Sequence, residues 1–128
     1  MTEHLGSLTV SRETIDRLSI YANLLEKWNP RINLVSRSTL DDLWSRHIVD
    51  SAQLFELAPV TAKHWVDLGS GGGFPGLVIA ILAKELRPEL EVVLVESDQR
   101  KCAFLRTVSR ETNCGAVVHS KRVEEIWY

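Results

Sequence analysis

The sequence contains little cysteine, only Cys102 and Cys114 among 128 residues. Two cysteines cannot build the disulfide framework of a small secreted domain, and only His119 lies near either of them as a companion for zinc. No apolar run approaches the roughly 18 residues that a membrane-spanning helix needs. The first ten residues also lack the basic and apolar regions of a secretory signal. These absences favour a soluble cytoplasmic protein, and we expect no membrane partner.

The chain also has no excess of basic residues. Fifteen Lys and Arg stand against 17 Asp and Glu, which gives a formal net charge of −2 and a pI of about 6.1. Dedicated nucleic-acid-binding domains often have a pI above about 9. Any contact with RNA would therefore have to come from local basic patches. The length of 128 residues predicts one small domain.

The first half of the chain is predicted to be helical. Apolar residues recur every three or four positions over residues 12–29, which is typical of an amphipathic helix. Asn29-Pro30 predicts its end, because the residue before a proline is disfavoured in the helical conformation. A second helix is predicted from Ser38 to just before Pro59. We therefore expect residues 1–60 to form an N-terminal helical extension.

The second half, residues 61–128, alternates predicted strands and helices. Short valine-rich or apolar runs predict strands at 64–68, 91–96 and 116–119, and helices are predicted at about 75–86 and 99–113. This alternation is typical of a parallel sheet with right-handed crossovers. The expected fold class is α/β, a Rossmann-like domain of which this chain contains about three strands.

A glycine-rich loop follows the first strand of this half, and two ligands could bind there. Such a loop lets a ligand approach the backbone, and the N–H groups of the next helix attract anions. A dinucleotide is one candidate, because Gly71, Gly73 and Gly76 fit the spacing G-x-G-x-x-G and Glu96 lies 20 residues further on. S-adenosylmethionine is the other, because methyltransferases of the Rossmann-like class place an acid at the end of the strand and alternate glycines after it.

Three details favour S-adenosylmethionine. Asp67 lies at the end of the strand, where its carboxylate suits the ammonium group of the donor and would repel pyrophosphate. The loop begins at Gly69 and is longer than the tight dinucleotide turn, and a dinucleotide register that begins there would put the bulky Phe74 at its third glycine. Glu96, at the end of the second strand, is predicted to bind the two ribose hydroxyls, with a solvated carboxylate as the alternative.

Five segments of the chain resemble one methyltransferase family, known as RsmG or GidB. They are Leu25–Asn29 (LEKWN), Asn33–Ser36 (NLVS), Arg46–Ser51 (RHIVDS), Val66–Gly76 (VDLGSGGGFPG) and Ser120–Glu125 (SKRVEE). The resemblance implies a class I S-adenosylmethionine-dependent methyltransferase that modifies N7 of a guanine in bacterial 16S ribosomal RNA. The implied partner is this RNA or the small ribosomal subunit.

The resemblance also implies which residues bind the donor. Gly69 and Phe74 would contact it, Glu96 would hold its ribose, and Val123 with Glu124 would bracket its adenine. Gly71 and Asp67 join them from the glycine pattern. The family's later Ser-Arg-Ala segment is absent from this sequence. No catalytic residue is predicted, because guanine N7 carries a free lone pair and needs no general base.

Other chemistry-bearing side chains have competing interpretations. Arg46, His47 and Asp50 form either an ion pair beside an ordinary histidine or a small cluster near the donor cleft. Trp28 and Trp44 are predicted to be core anchors rather than platforms for bases. Arg106 and Arg110 share a helix face, where phosphate contact and simple solvation are both possible. Cys102 is predicted to point inward and not to act as a nucleophile.

The seven strands normal for this fold lead us to expect a truncated chain that lacks the later strands. The first strand would then have an open outer edge, and the apolar helix at 75–86 would be partly uncovered. An open strand edge invites pairing with another chain, so we expect self-association and little or no methyl transfer. Two alternative functions stay open: a donor- or RNA-binding fragment without turnover, and an NAD-binding oxidoreductase domain.

Overall fold

The computed structural model describes residues 2–122 as a hairpin, a group of helices and a three-stranded sheet. Two residues of the predicted donor site, Val123 and Glu124, lie outside this described part. Within residues 2–122, no helix is both long enough and apolar enough to cross a membrane.

A β-hairpin that the sequence analysis missed precedes the first helix. Strands β1 (Thr2–Leu5) and β2 (Leu8–Ser11) pair in antiparallel register. Leu5 and Val10 from this hairpin are buried in the core. Such short strands have little local signal, and their burial against distant helices stabilises them.

Helix α1 (Arg12–Ile32) runs three residues beyond its predicted end. Pro30 lies in its last turn, where the missing N–H removes only one backbone hydrogen bond. The helix ends at Asn33, which has a left-handed backbone (φ 49°) and donates its N–H to the Asn29 carbonyl at 3.0 Å. The side-chain oxygen of Asn29 accepts two further hydrogen bonds, from the backbone N–H of Leu34 at 2.7 Å and from that of Val35 at 2.9 Å. The expectation of a stop at Asn29 was therefore wrong.

Glu85, near the end of a later helix (Gly76–Leu86), forms hydrogen bonds with the start of α1. Its carboxylate accepts hydrogen bonds from the Ser11 N–H at 3.0 Å and the Ser11 hydroxyl at 2.9 Å, and a third from the Thr14 hydroxyl. Partial burial raises the pKa of Glu85, but these hydrogen bonds and nearby Arg17 lower it more, so the net pKa lies below the usual value.

The second predicted helix is divided into three segments. These are α2 (Arg37–Asp41), a π-helical segment (Leu43–Ile48) and α3 (Val49–Leu57). Because the π-helical turn is wider, the residues after it face new directions. After the segment, Phe55 is buried. Trp44, inside the segment, is exposed to 37%, which contradicts its predicted role as a core anchor.

The second half has the predicted α/β fold. Strands β3 (His64–Leu68), β4 (Glu91–Glu96) and β5 (Val117–Ser120) form a parallel sheet in the order β3-β4-β5. Helices α4 (Gly76–Leu86) and α5 (Gln99–Thr112) connect them. The predicted bounds are confirmed within one or two residues.

Helix α4 is covered, contrary to expectation. Residues 77–83 are all exposed to 2% or less, because α1, α3 and the hairpin fold over the side of α4 that faces away from the sheet. The apolar sequence of this helix thus corresponds to burial on all sides.

The opposite face of the sheet remains exposed in the described part of the chain. Val66, Leu68 and Val117 on this face are exposed to 53%, 46% and 40%. Strand β3 has no partner on its outer edge among residues 2–122. The predicted open edge is therefore present, whereas self-association through it stays a prediction.

Candidate functional site

The candidate site lies where β3 and β4 end, at the carboxyl edge of the parallel sheet. Ligands of open α/β sheets bind at this edge. The loop that follows β3 begins by pairing with β4, since the N–H groups of Gly69 and Ser70 donate to the Val95 carbonyl at 2.8 and 3.1 Å. This pairing fixes the loop across the ends of both strands.

Two glycines show that the loop is open at one end and tightly packed at the other. Gly69 has a φ of +70°, and a Cβ added there would meet no atom within 4 Å. A Cβ on Gly76, the first residue of α4, would instead collide with the side chains of Asp67 and Leu94. The loop therefore leaves space for a ligand against the backbone of Gly69, while Gly76 lets α4 pack directly on the sheet.

Glu96 faces this loop from the end of β4. Its carboxylate accepts hydrogen bonds from the Gly71 N–H at 2.8 Å and from the Asp98 N–H at 3.0 Å. Glu96 is exposed to only 8%, so the alternative of a solvated carboxylate is wrong. Each carboxylate oxygen can accept more than one hydrogen bond, so Glu96 can still bind ligand hydroxyls.

Asp67 lies beneath the loop, at the start of α4. Its carboxylate accepts a hydrogen bond from the Gly76 N–H at 3.1 Å. Burial raises the pKa of this carboxyl, and hydrogen bonds from Gly76 and Ser70 partly offset the rise. The structure thus gives Asp67 a role at the helix N-terminus besides the predicted one toward the donor.

A tyrosine that the sequence analysis missed holds the loop from α1. Tyr21 is fully buried, and its hydroxyl donates to the Gly72 carbonyl at 2.6 Å. Burial and the nearby charge of Asp67 raise its pKa well above the usual value, so the hydroxyl keeps its proton. Its position three residues after Leu18, on the apolar face of α1, was the only sequence signal.

Phe74 is the aromatic residue of the loop, and two rings approach it. It is half-buried, 5.4 Å from the Tyr21 ring and 6.0 Å from the His47 ring between centroids. His47 belongs to the π-helical segment, a feature often found at functional sites. In residues 2–122, Arg46 and Asp50 form no ion pair. The structure therefore places His47 beside the loop, and the described residues do not form the ion pair of the alternative interpretation.

The remaining candidates have structural roles or lie elsewhere. Cys102 is buried and its thiol donates to the Glu96 carbonyl at 3.2 Å, as expected for an inward-facing residue. Arg106 donates a hydrogen bond to the Val118 carbonyl, and Nε of Arg110 lies 3.7 Å from a carboxylate oxygen of Glu111. Across residues 2–122, His, Cys, Asp and Glu side chains form no group that could hold a metal ion.

A parallel sheet, a glycine loop before a buried helix and acids at the ends of two adjacent strands define a Rossmann-like fold of the class I methyltransferase type. The family profile described as rRNA small subunit methyltransferase G, or GidB, matches residues 14–127. The chain therefore belongs to the GidB family.

Curated relatives agree with this assignment. The chain is 57% identical over 126 residues to "Ribosomal RNA small subunit methyltransferase G" of Ruegeria pomeroyi, covering 98% of this chain and 61% of that protein. It is 59% identical over 124 residues to the protein of the same name from Parvibaculum lavamentivorans, covering 96% of this chain and 54% of the relative. The chain thus spans little more than half the length of these relatives.

Proposed function

We propose that the carboxyl edge of this sheet binds S-adenosylmethionine, and that the protein methylates N7 of a guanine in bacterial 16S ribosomal RNA. The observation that carries the proposal is the open backbone at Gly69 opposite the buried carboxylate of Glu96. Membership of the GidB family supports it independently. The expected setting is the cytoplasm, where ribosomal RNA is found in bacteria.

The described residues fit the functional groups of the donor. Glu96 would accept hydrogen bonds from the ribose hydroxyls while it continues to hold the Gly71 N–H. Gly69 and Gly71 would contact the donor through their backbone, and Phe74 would offer an apolar wall. Asp67 would face the ammonium end with its negative charge. Val123 and Glu124 stay proposed contacts to the adenine, on sequence grounds alone.

A dinucleotide fits this loop less well. The segment between the end of β3 at Leu68 and the start of α4 at Gly76 is longer than the tight turn of a dinucleotide site. The carboxylate of Asp67 also occupies the N-terminus of α4, where a pyrophosphate would bind. We therefore do not favour an NAD-dependent oxidoreductase.

The chemistry requires positioning more than acid–base catalysis. When bound, the donor supplies an electrophilic methyl group on a sulfonium. Guanine N7 carries a free lone pair, so the protein has no proton to remove. Alignment of the nucleophile, the methyl group and the leaving sulfur can supply most of the rate enhancement. Tyr21 and His47 would contribute by holding Gly72 and Phe74 in place.

Two measurements test the proposal. Isothermal calorimetry should detect binding of S-adenosylmethionine, and binding of NAD without S-adenosylmethionine would contradict the donor assignment. We expect little or no methyl transfer from this chain alone, so the transfer assay uses a protein that contains this sequence and has the full length of its relatives. Incubation of that longer protein with labelled donor and unmodified small ribosomal subunits, followed by mapping of the modified base, should place the methyl group on guanine N7. A methyl group on another atom or another RNA would contradict the substrate assignment. Donor binding by the longer protein without any transfer would favour the alternative of donor or RNA binding without turnover.

A further inference from the structure

A basic groove lies between α1 and α5, outside the candidate donor site. Its volume is about 440 Å³, within the range of ligand-binding clefts. We call it the α1–α5 groove. Its lining residues come from the last two turns of α1 and the first turns of α5: Lys27, Trp28, Arg31, Ile32, Arg100 and Ala103.

The spacing of these residues places one charged row beside one apolar row. Lys27 and Arg31 are four residues apart on α1, and so are Trp28 and Ile32, so each pair shares a helix face. Arg100 adds a third cation from α5. The groove therefore offers positive charge next to an aromatic and aliphatic wall.

The three cations are available for an external anion. All three residues are exposed, and within residues 2–122 none of them forms an ion pair with Asp or Glu. Asp98 is the acid closest in sequence to Arg100, and its carboxylate caps α5 by accepting from the backbone N–H groups of Arg100 and Lys101. The hydrogen bond from the Lys101 N–H lowers the pKa of Asp98, and the charge of Arg100 also helps to lower it, but the Arg100 and Asp98 side chains form no ion pair in the described part of the chain. The overall charge of the chain is −2, so three cations around one groove are a local excess of positive charge.

Aromatic packing connects the groove to the glycine loop of the candidate site. Trp28 packs against the core, as predicted for an anchor, but it is only partly buried and also lines the groove. Its ring packs edge-on against Phe104, with ring centroids 5.6 Å apart. Phe104 lies 6.4 Å from Tyr21, and Tyr21 holds the glycine loop through Gly72. In addition, α5 begins three residues after Glu96. An extended ligand in the groove would thus lie beside the candidate site.

We propose that the α1–α5 groove binds a segment of the RNA substrate and guides it toward the donor site. Lys27, Arg31 and Arg100 would contact phosphates, and one unpaired base would pack against Trp28 and Ile32. Phosphate contacts from basic side chains position a nucleic acid, and bases stack readily on aromatic side chains. The identification of the ligand as RNA rests on the proposed function, because the groove chemistry by itself fits a polyanion with flat apolar groups.

The test compares two triple variants that remove the same charge. The first is Lys27→Gln, Arg31→Gln, Arg100→Gln. The matched control is Arg12→Gln, Lys63→Gln, Arg110→Gln: Arg12 and Arg110 lie at the opposite ends of α1 and α5, and Lys63 precedes β3. All six side chains belong to exposed residues, so both variants should fold, which circular dichroism will verify.

Binding is measured by fluorescence anisotropy with a labelled single-stranded oligoribonucleotide of about 12 nucleotides. Each phosphate contact to single-stranded nucleic acid contributes about 0.7 to the slope of log K against log salt. The groove variant should therefore lose about 2 from this slope, and the control variant should keep the slope of the unmodified chain. Equal losses in both variants, or no loss in the groove variant, would overturn the inference.

Two further readouts separate this inference from the proposed function. Calorimetry should give the same affinity for S-adenosylmethionine with the groove variant and the unmodified chain. If the unmodified chain binds RNA through the groove but does not bind this donor, the proposed donor is wrong and the groove assignment stands. If polyglutamate binds in the groove and RNA does not, the ligand is an acidic polypeptide and the inference is wrong.

Discussion

The substitution Tyr21→Phe tests how α1 supports the glycine loop between β3 and α4, because it removes one hydroxyl and leaves the ring packing intact. The hydroxyl donates to the carbonyl of Gly72, and both residues are buried. Loss of a buried hydrogen bond that leaves its partner unsatisfied costs about 1–3 kcal/mol. The free energy of unfolding, measured by urea denaturation, should fall by that amount.

Donor affinity should also fall, for a different reason. The hydrogen bond exists before the donor binds, so only the added freedom of the loop affects binding. Fixing the backbone of one freed residue costs about 1–2 kcal/mol, which corresponds to about 5- to 30-fold weaker binding of S-adenosylmethionine by calorimetry. We expect an effect of this size for Tyr21→Phe.

A control separates stability from loop positioning. The Thr112 hydroxyl is buried and donates to the Val108 carbonyl at 2.7 Å, within the last turns of α5. Thr112→Val should cost about 0.5–1.5 kcal/mol of unfolding free energy without changing donor affinity. If Tyr21→Phe loses stability but binds the donor as tightly as the unmodified chain, Tyr21 does not position the loop.

Three other predictions concern separate parts of the molecule. Glu96→Gln places an amide where two backbone N–H groups now donate to carboxylate oxygens. The substitution should lower the free energy of unfolding by about 1.5–3 kcal/mol and weaken donor binding in calorimetry. An unchanged affinity would exclude Glu96 from the donor site. The pKa of Glu85 is lowered in the folded protein, so its contribution to stability is present above the unfolded pKa of about 4.3 and is lost as the pH falls through the lower folded value. In urea denaturation, Glu85→Gln should therefore lose less unfolding free energy with acid than the unmodified chain. An identical pH profile of the two proteins would contradict this. Val66→Lys should reduce self-association in sedimentation equilibrium because it places an exposed charge on the open edge strand β3, and an unchanged association constant would exclude pairing through this strand.

Local patterns were sufficient to predict the second half of the fold. Strands β3 and β4 are short apolar runs, and the glycines between β3 and α4 indicated the loop and the candidate site beside it. The close approach of Glu96 to Gly71 follows from the same topology, since adjacent parallel strands end at the same edge.

Features that depend on distant contacts could not be predicted. The hairpin at the start of the chain is stabilised by burial of Leu5 and Val10 against helices far away in sequence. Trp44 lies in the π-helical segment and is exposed, although its apolar spacing fitted a regular buried helix face. The contact of Tyr21 with Gly72 joins residues 51 positions apart, and periodicity alone marked this tyrosine only as a residue on a buried face.

The α1–α5 groove could not be predicted from the sequence either. Lys27 and Arg31 were not singled out in the sequence, because charged residues on an amphipathic helix usually face solvent. Only the packing of α5 against α1 brings Arg100 to the same groove. A cluster of side chains from two helices can therefore be recognised only once the packing of those helices is known.

The most direct test of the central claim is an amide NMR titration of the chain with S-adenosylmethionine. The account predicts saturable shifts centred on Gly69, Gly71 and Glu96, with the Gly71 amide reporting on its hydrogen bond to the Glu96 carboxylate. NAD at the same concentration should leave these signals in place. Saturable shifts confined to residues away from the carboxyl edge, or shifts of the loop with NAD and none with S-adenosylmethionine, would contradict the account.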